Sequence, residues 1–211
     1  MQNGAFARGA RLGALIVLAV AGPSAVRAAA ALTGVEFTVP VALSPQAKAV
    51  NKDAKIMAEF TEKVQKYVEV HRRLEGKLPP IPKEATPQQI DAHQRALEKA
   101  IQSELLKSKE GDFFEKETRA LFRRHLGIAF SGPDGADAKA EIMDEYPGPV
   151  RIVINGRYPD TIPLSTVPPK ALALLPPLPE ELEYRFIGDR LILLDVHAHI
   201  VVDAIEKAFR R

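Results

Sequence analysis

From residue 45 the apolar positions recur with a helical period. Val50, Met57, Val64 and His71 stand seven apart, with Ala54, Phe60, Tyr67 and Leu74 between them, which predicts a long helix that turns one stripe toward a partner. Ser44 and Pro45 open it as N-cap and first helical residue, and Gly76 closes it. Residues 77–83 (KLPPIPK) hold three prolines and read as a stiff, extended connector. Thr86, Pro87 and Gln89 then supply the N-cap, the N1 proline and the N3 residue of a capping box. The second helix they start has Ile90, His93, Leu97, Ile101 and Leu105 on its buried face. A third is expected to open at residues 112–115 (DFFE) and run to about Gly127, with Phe114, Leu121, Phe122 and Leu126 inside and Arg119, Arg123 and Arg124 outside. The first two should form an antiparallel hairpin, closed by the third.

Residues 131–137 (SGPDGAD) are a turn-rich break and the best place for a domain boundary; a short acidic helix at 136–145 and Pro147-Gly148-Pro149 follow. Residues 150–154 (VRIVI), β-branched and bounded by Asn155-Gly156, predict a strand with a tight turn. Residues 168–175 read as a two-turn helix opened by proline. Two strands, 183–187 and 190–195, flank the two-residue turn Gly188-Asp189, and residues 200–205 make a third. The expected fold class is α+β. A helical hairpin plus a third helix occupies 31–130, and a small region with an antiparallel meander and a short helix occupies 146–211. The pattern leaves open whether they share one core.

The N-terminus has a different pattern. Arg8 and Arg11 precede an apolar run at 12–21 (LGALIVLAVA), Gly22, Pro23 and Ser24 break it, and Ala28, Ala29 and Ala30 offer small residues for cleavage. This is the layout of a secretory signal peptide, so residues 1–30 are expected to be removed and the mature protein to be periplasmic. Residues 31–43 are extended in character, an edge strand or a tether, with Pro40 favouring either.

Cleavage changes the charge reading. The whole chain has 29 basic and 27 acidic residues; losing Arg8, Arg11 and Arg27 leaves 26 against 27. A near-neutral mature chain without a long basic run argues against nucleic acid as a partner. The chain has no cysteine, which excludes disulfides, thiol catalysis and thiolate metal sites. No stretch after Ala31 predicts stable membrane insertion, and the oligomeric state is left undetermined.

Candidate chemistry is sparse. Asp195, His197 and His199 would project to one face of an extended segment, offering a carboxylate and two imidazoles, with Asp203 as a further ligand if the chain folds back. Such a set suits a divalent metal such as zinc, nickel or copper. His71 and His93 lie on apolar helical stripes where they could meet across the hairpin, inviting a metal-binding or pH-sensing reading; a core histidine satisfied by a carbonyl or carboxylate is the simpler one. Ser131 lacks a neighbouring base, and Glu180, Glu181 and Glu183, like Asp144 and Glu145, read as solvated acids. The short basic sets at 71–73, 123–125 and 210–211 read as solvated helix ends. Catalysis is therefore not expected. The favoured function is a non-enzymatic exported envelope protein, a structural, adaptor or interaction module with a protein partner; the alternative is a metal-binding or metal-homeostasis protein using Asp195, His197 and His199.

The strings at 67–74 (YVEVHRRL), 111–114 (GDFF), 155–159 (NGRYP) and 175–195 (LPPLPEELEYRFIGDRLILLD) resemble a group of exported bacterial proteins of unknown function. That resemblance implies an envelope address and adds no chemistry. The tail alone, with Tyr184, the Gly188 turn, Asp195 and the last strand, is similar to the C-terminal hairpin of the RcnB-like periplasmic proteins associated with nickel and cobalt homeostasis.

Overall fold

Six consecutive residues of β4 (Ile200–Ile205) are buried, a pattern possible only if both faces of its sheet are covered. The computed structural model describes residues 45–210 apart from Pro147 and Leu164, with the side chains of 45–50 also excepted. The signal-peptide and edge-strand expectations for residues 1–43, and the N-cap at Ser44, lie outside the described residues. The elements run α1 (Pro45–Glu75), α2 (Pro87–Glu104), α3 (Lys116–Ala129), α4 (Gly132–Asp144), β1 (Gly156–Arg157), α5 (Pro169–Leu172), β2 (Leu182–Ile187), β3 (Arg190–Asp195), β4. The fold is α+β with one antiparallel sheet in the order β1-β4-β3-β2.

The predicted meander is present. β2 and β3 pair from Leu182↔Asp195 to Ile187↔Arg190, leaving Gly188-Asp189 as the turn. Gly188 has φ +57°, and Tyr146 packs where its Cβ would stand. The capping box at Thr86 and Gln89 also forms as predicted.

One face of the sheet packs against the helices. Phe60, Val64 and Tyr67 of α1, Leu97 and Ile101 of α2, and Leu121, Phe122 and Leu126 of α3 share a core with Leu182, Tyr184 and Phe186 of β2 and Leu191 and Leu193 of β3. The described residues, 45–210, accordingly fall in one compact unit, which answers the question of a shared core. The break at 131–137 is no boundary: it is the first turn of α4, with Ser131 as N-cap and Pro133 in the first turn. Gly135 lets α4 lie against the end of α3, since a Cβ there would stand 2.3 Å from the carbonyl carbon of Phe130.

The other face carries Ile192, Leu194, Val201 and Ala204, and is covered by Tyr158 with Val150, Ile152 and Ile154. Hence residues 150–154 do not form the predicted strand: Val150, Ile152 and Ile154 pack down on the sheet while Val153 is exposed, and the ladder begins at Gly156 and Arg157, opposite Val201 and Ile200. Asn155, at φ +57°, makes the bend between them.

A β-bulge decides which way Asp203 points. Leu193 pairs with Asp203 but Leu194 pairs with Val201, so Val202 is the extra residue and the alternation of β4 reverses there. Asp203 thus turns to the helical side, where its carboxylate accepts from the backbone N–H groups of Gly111 (2.9 Å), Phe113 (2.9 Å) and Phe114 (2.8 Å). Those bonds hold 112–114 out of helix and delay the start of α3 to Lys116, after the expected DFFE opening.

Candidate metal centre

His71 and Glu75 lie one turn apart on α1, so their side chains share a face. That face meets the end of β3 and the connector at residues 196–199. His71 is fully buried, and its Nδ1 stands 2.6 Å from Oδ2 of Asp195, itself fully buried. The Tyr67 hydroxyl donates to the same oxygen at 2.8 Å, and the Ala198 N–H donates to Oδ1 at 2.8 Å, closing the connector as a turn around the carboxylate.

A carboxylate only accepts, so the Nδ1 of His71 carries its proton toward Asp195 and Nε2 is left facing the other way. There it finds Oε2 of Glu75 at 3.3 Å, without hydrogen-bond alignment. Nδ1 of His197 lies 3.3 Å from the other oxygen of Glu75 and is likewise without a hydrogen-bond partner. The two imidazole rings stand 5.4 Å apart between centroids. One ligand atom each from His71, Glu75 and His197 falls within 4.8 Å of the others. Nε2 of His93, on α2, approaches Glu75 at 3.7 Å.

Burial opposes charge on His71, but the bond to Asp195 and the charges of Asp195, Glu75 and Glu181 together raise its pKa above the usual histidine value. Glu181 is buried rather than solvated as its composition suggested, and pairs with Arg72. Burial would raise its pKa, yet the bond from Arg72 and nearby positive charge hold it lowered.

His71, Glu75 and His197 are the residues that could hold a metal ion. Two imidazole nitrogens converge on a carboxylate, and Asp195 fixes the ring of His71 from behind, as outer carboxylates do for metal-ligating histidines. A tetrahedral ion with bonds of about 2.0–2.2 Å to N and O ligands sets neighbouring ligand atoms about 3.3 Å apart; Nε2 of His71 stands 3.3 Å from one oxygen of Glu75 and Nδ1 of His197 stands 3.3 Å from the other.

The set of Asp195, His197, His199 and Asp203 does not converge. Of the four, His197 alone joins the cluster. Asp195 stands behind His71; Asp203 is consumed by loop N–H groups, with a further bond from Ala204. His199, at φ +57°, turns away to the Tyr158 ring and Asp160, its Nε2 3.4 Å from that carboxylate. The connector is a tight turn rather than an extended run, so residues 197 and 199 do not share a face. His71 and His93 approach the same group, Glu75, across the hairpin. His125 is satisfied by the Leu174 carbonyl at 2.7 Å. Glu75 was readable only as a carboxylate four residues beyond His71; nothing in the sequence tied that pair to residue 197.

The fold and this cluster define an α+β protein with a histidine–carboxylate centre between helix and sheet. No protein-family model, curated protein or solved structure matches the sequence. No helix among the described residues is long and apolar enough to cross a membrane.

Proposed function

We propose that this chain is a divalent-metal-binding protein whose ligands are His71, Glu75 and His197, with His93 or water completing the coordination. The observation that carries this reading is the Nε2 of His71: fully buried, without a hydrogen-bond partner, and aimed with His197 at one carboxylate. A buried acceptor left unpaired costs about 1–3 kcal/mol, which a bound cation would recover. The N₂O donor set suits zinc, nickel or copper rather than calcium or magnesium, which prefer all-oxygen shells. Glu75 is partly exposed, giving the ion an entry side. The signal-peptide layout of residues 1–30 supports an exported, periplasmic address, where a metal-holding or metal-homeostasis role is chemically coherent.

The test is calorimetric titration with zinc, nickel and copper, paired with thermal melts. One ion should bind per chain, with a stability gain of about 2.7 kcal/mol at a hundredfold excess over Kd. His71→Ala or His197→Ala should abolish the gain, and His199→Ala should not. Absence of binding by every ion would remove this reading.

A further inference from the structure

The basic sets at 123–124 and 210, distant in sequence, come together in the fold. With Lys139 of α4 and Lys207 they line a cleft of about 730 Å³ in which Asp189 is the one acidic lining residue among those described. Elsewhere the surface charges are largely matched, as in Lys66–Glu62, Arg73–Glu104 and Arg95–Asp91. Within the cleft Arg124 reaches out to Asp53 and Asp189 is itself engaged, while Lys139, Lys207 and Arg210 add three further cations to the lining. Arg123 is held in place by the carbonyls of Lys207 (3.2 Å) and Glu206 (2.7 Å), so its charge is positioned before any ligand arrives. The floor is aromatic: Phe130 and Phe209 stand 4.8 Å apart between ring centroids.

We propose that this cleft binds a phosphate-bearing anion with an apolar portion, the phosphate meeting Arg123, Lys139 and Arg210 and the apolar part lying on Phe130 and Phe209. Arg124 is matched by Asp53, and the other four lining cations against one carboxylate set up a field that favours a multiply charged anion. Guanidinium groups match phosphate oxygens in geometry. The phosphate could belong to a lipid headgroup or to a soluble compound; the recognising chemistry is the same.

The experiment titrates the full chain with inorganic pyrophosphate by calorimetry, and co-sediments it with phosphatidylcholine vesicles with and without phosphatidylglycerol. Two variants accompany it. Lys139→Glu reverses one charge. Gly127→Glu adds a carboxylate at the cleft, where a Cβ meets nothing within 4 Å, and the substitution suits a helix better than glycine. Pyrophosphate should bind, less tightly as salt rises, and each variant should weaken it at least about tenfold, which is about 1.4 kcal/mol, with the melting temperature kept. If binding to the phosphatidylglycerol vesicles weakens in parallel, the ligand is a headgroup; if the variants leave vesicle binding untouched, or there is none, the ligand is soluble. No binding of pyrophosphate by the unsubstituted chain, or binding indifferent to both variants, overturns the proposal.

Discussion

His71 and Asp195, 124 residues apart in the chain, meet through a 2.6 Å contact between two side chains with no solvent exposure. The contact fixes α1 against the end of β3 and sets the direction of the free nitrogen of His71. One carboxylate thus serves the core and the candidate metal centre together.

Asp195→Asn tests both roles. The amide keeps the shape but loses the charge that receives the Tyr67 hydroxyl, the His71 N–H and the Ala198 N–H. Hydrogen bonds to charged groups contribute about 1.5–3 kcal/mol each, so a loss of about 2–4 kcal/mol in urea unfolding is expected. Loss of an outer carboxylate weakens metal binding about 10–100-fold, and titration of the variant should show that drop. Unchanged affinity would separate Asp195 from the centre.

Asp203→Asn should behave differently. It removes the charge and leaves one acceptor oxygen for the N–H groups of Gly111, Phe113 and Phe114, and should cost about 2–4 kcal/mol, measured by urea unfolding, while zinc, nickel and copper affinities stay as they were. A specific loss of metal binding would return Asp203 to the ligand set.

Gly135→Ala forces a Cβ to within 2.3 Å of the Phe130 backbone. Overpacking of this kind costs about 1–3 kcal/mol, and a lowered melting temperature should report it. Gly127→Ala, on α3 with open space around it, should leave stability unchanged or raise it by up to about 1 kcal/mol.

Alkaline pH should unfold the protein through its tyrosines. Burial pushes Tyr158 up to about 12, and burial raises Tyr184 further. Burial, then the negative charge of Asp195, raises Tyr67. Because the folded values exceed the unfolded value of about 10, these phenols contribute stability that is complete below that pH and lost as pH rises through the folded values. Phenolate absorbance at about pH 11 should therefore stay well below that of four ionised tyrosines, with the remainder appearing on unfolding. Full ionisation of a still-folded chain would contradict the burial.

Local pattern determined much of this protein. The α1 stripe from Phe60 to Leu74, the capping box of α2 and the two-residue turn of the β2–β3 hairpin are set by residues close together, and each formed where the sequence placed it, although Ala54, earlier on the expected stripe, is exposed. Long-range contacts decided the rest. Residues 150–154 have strand composition, yet Val150, Ile152 and Ile154 cover a sheet face instead of joining the ladder. Residues 112–114 would open a helix, but a bulge in β4 brings Asp203 to their N–H groups first. The same division holds for the candidate centre. His197 stood out by its spacing to Asp195, and His71 by its place on an apolar stripe. That Asp195 would back His71, that Glu75 would face both histidines and that His199 would turn away depended on how α1 crosses the sheet and on a left-handed residue in the connector. Side-chain periodicity reports which face of an element is buried; which residue waits on the other side is settled by packing between segments more than a hundred residues apart.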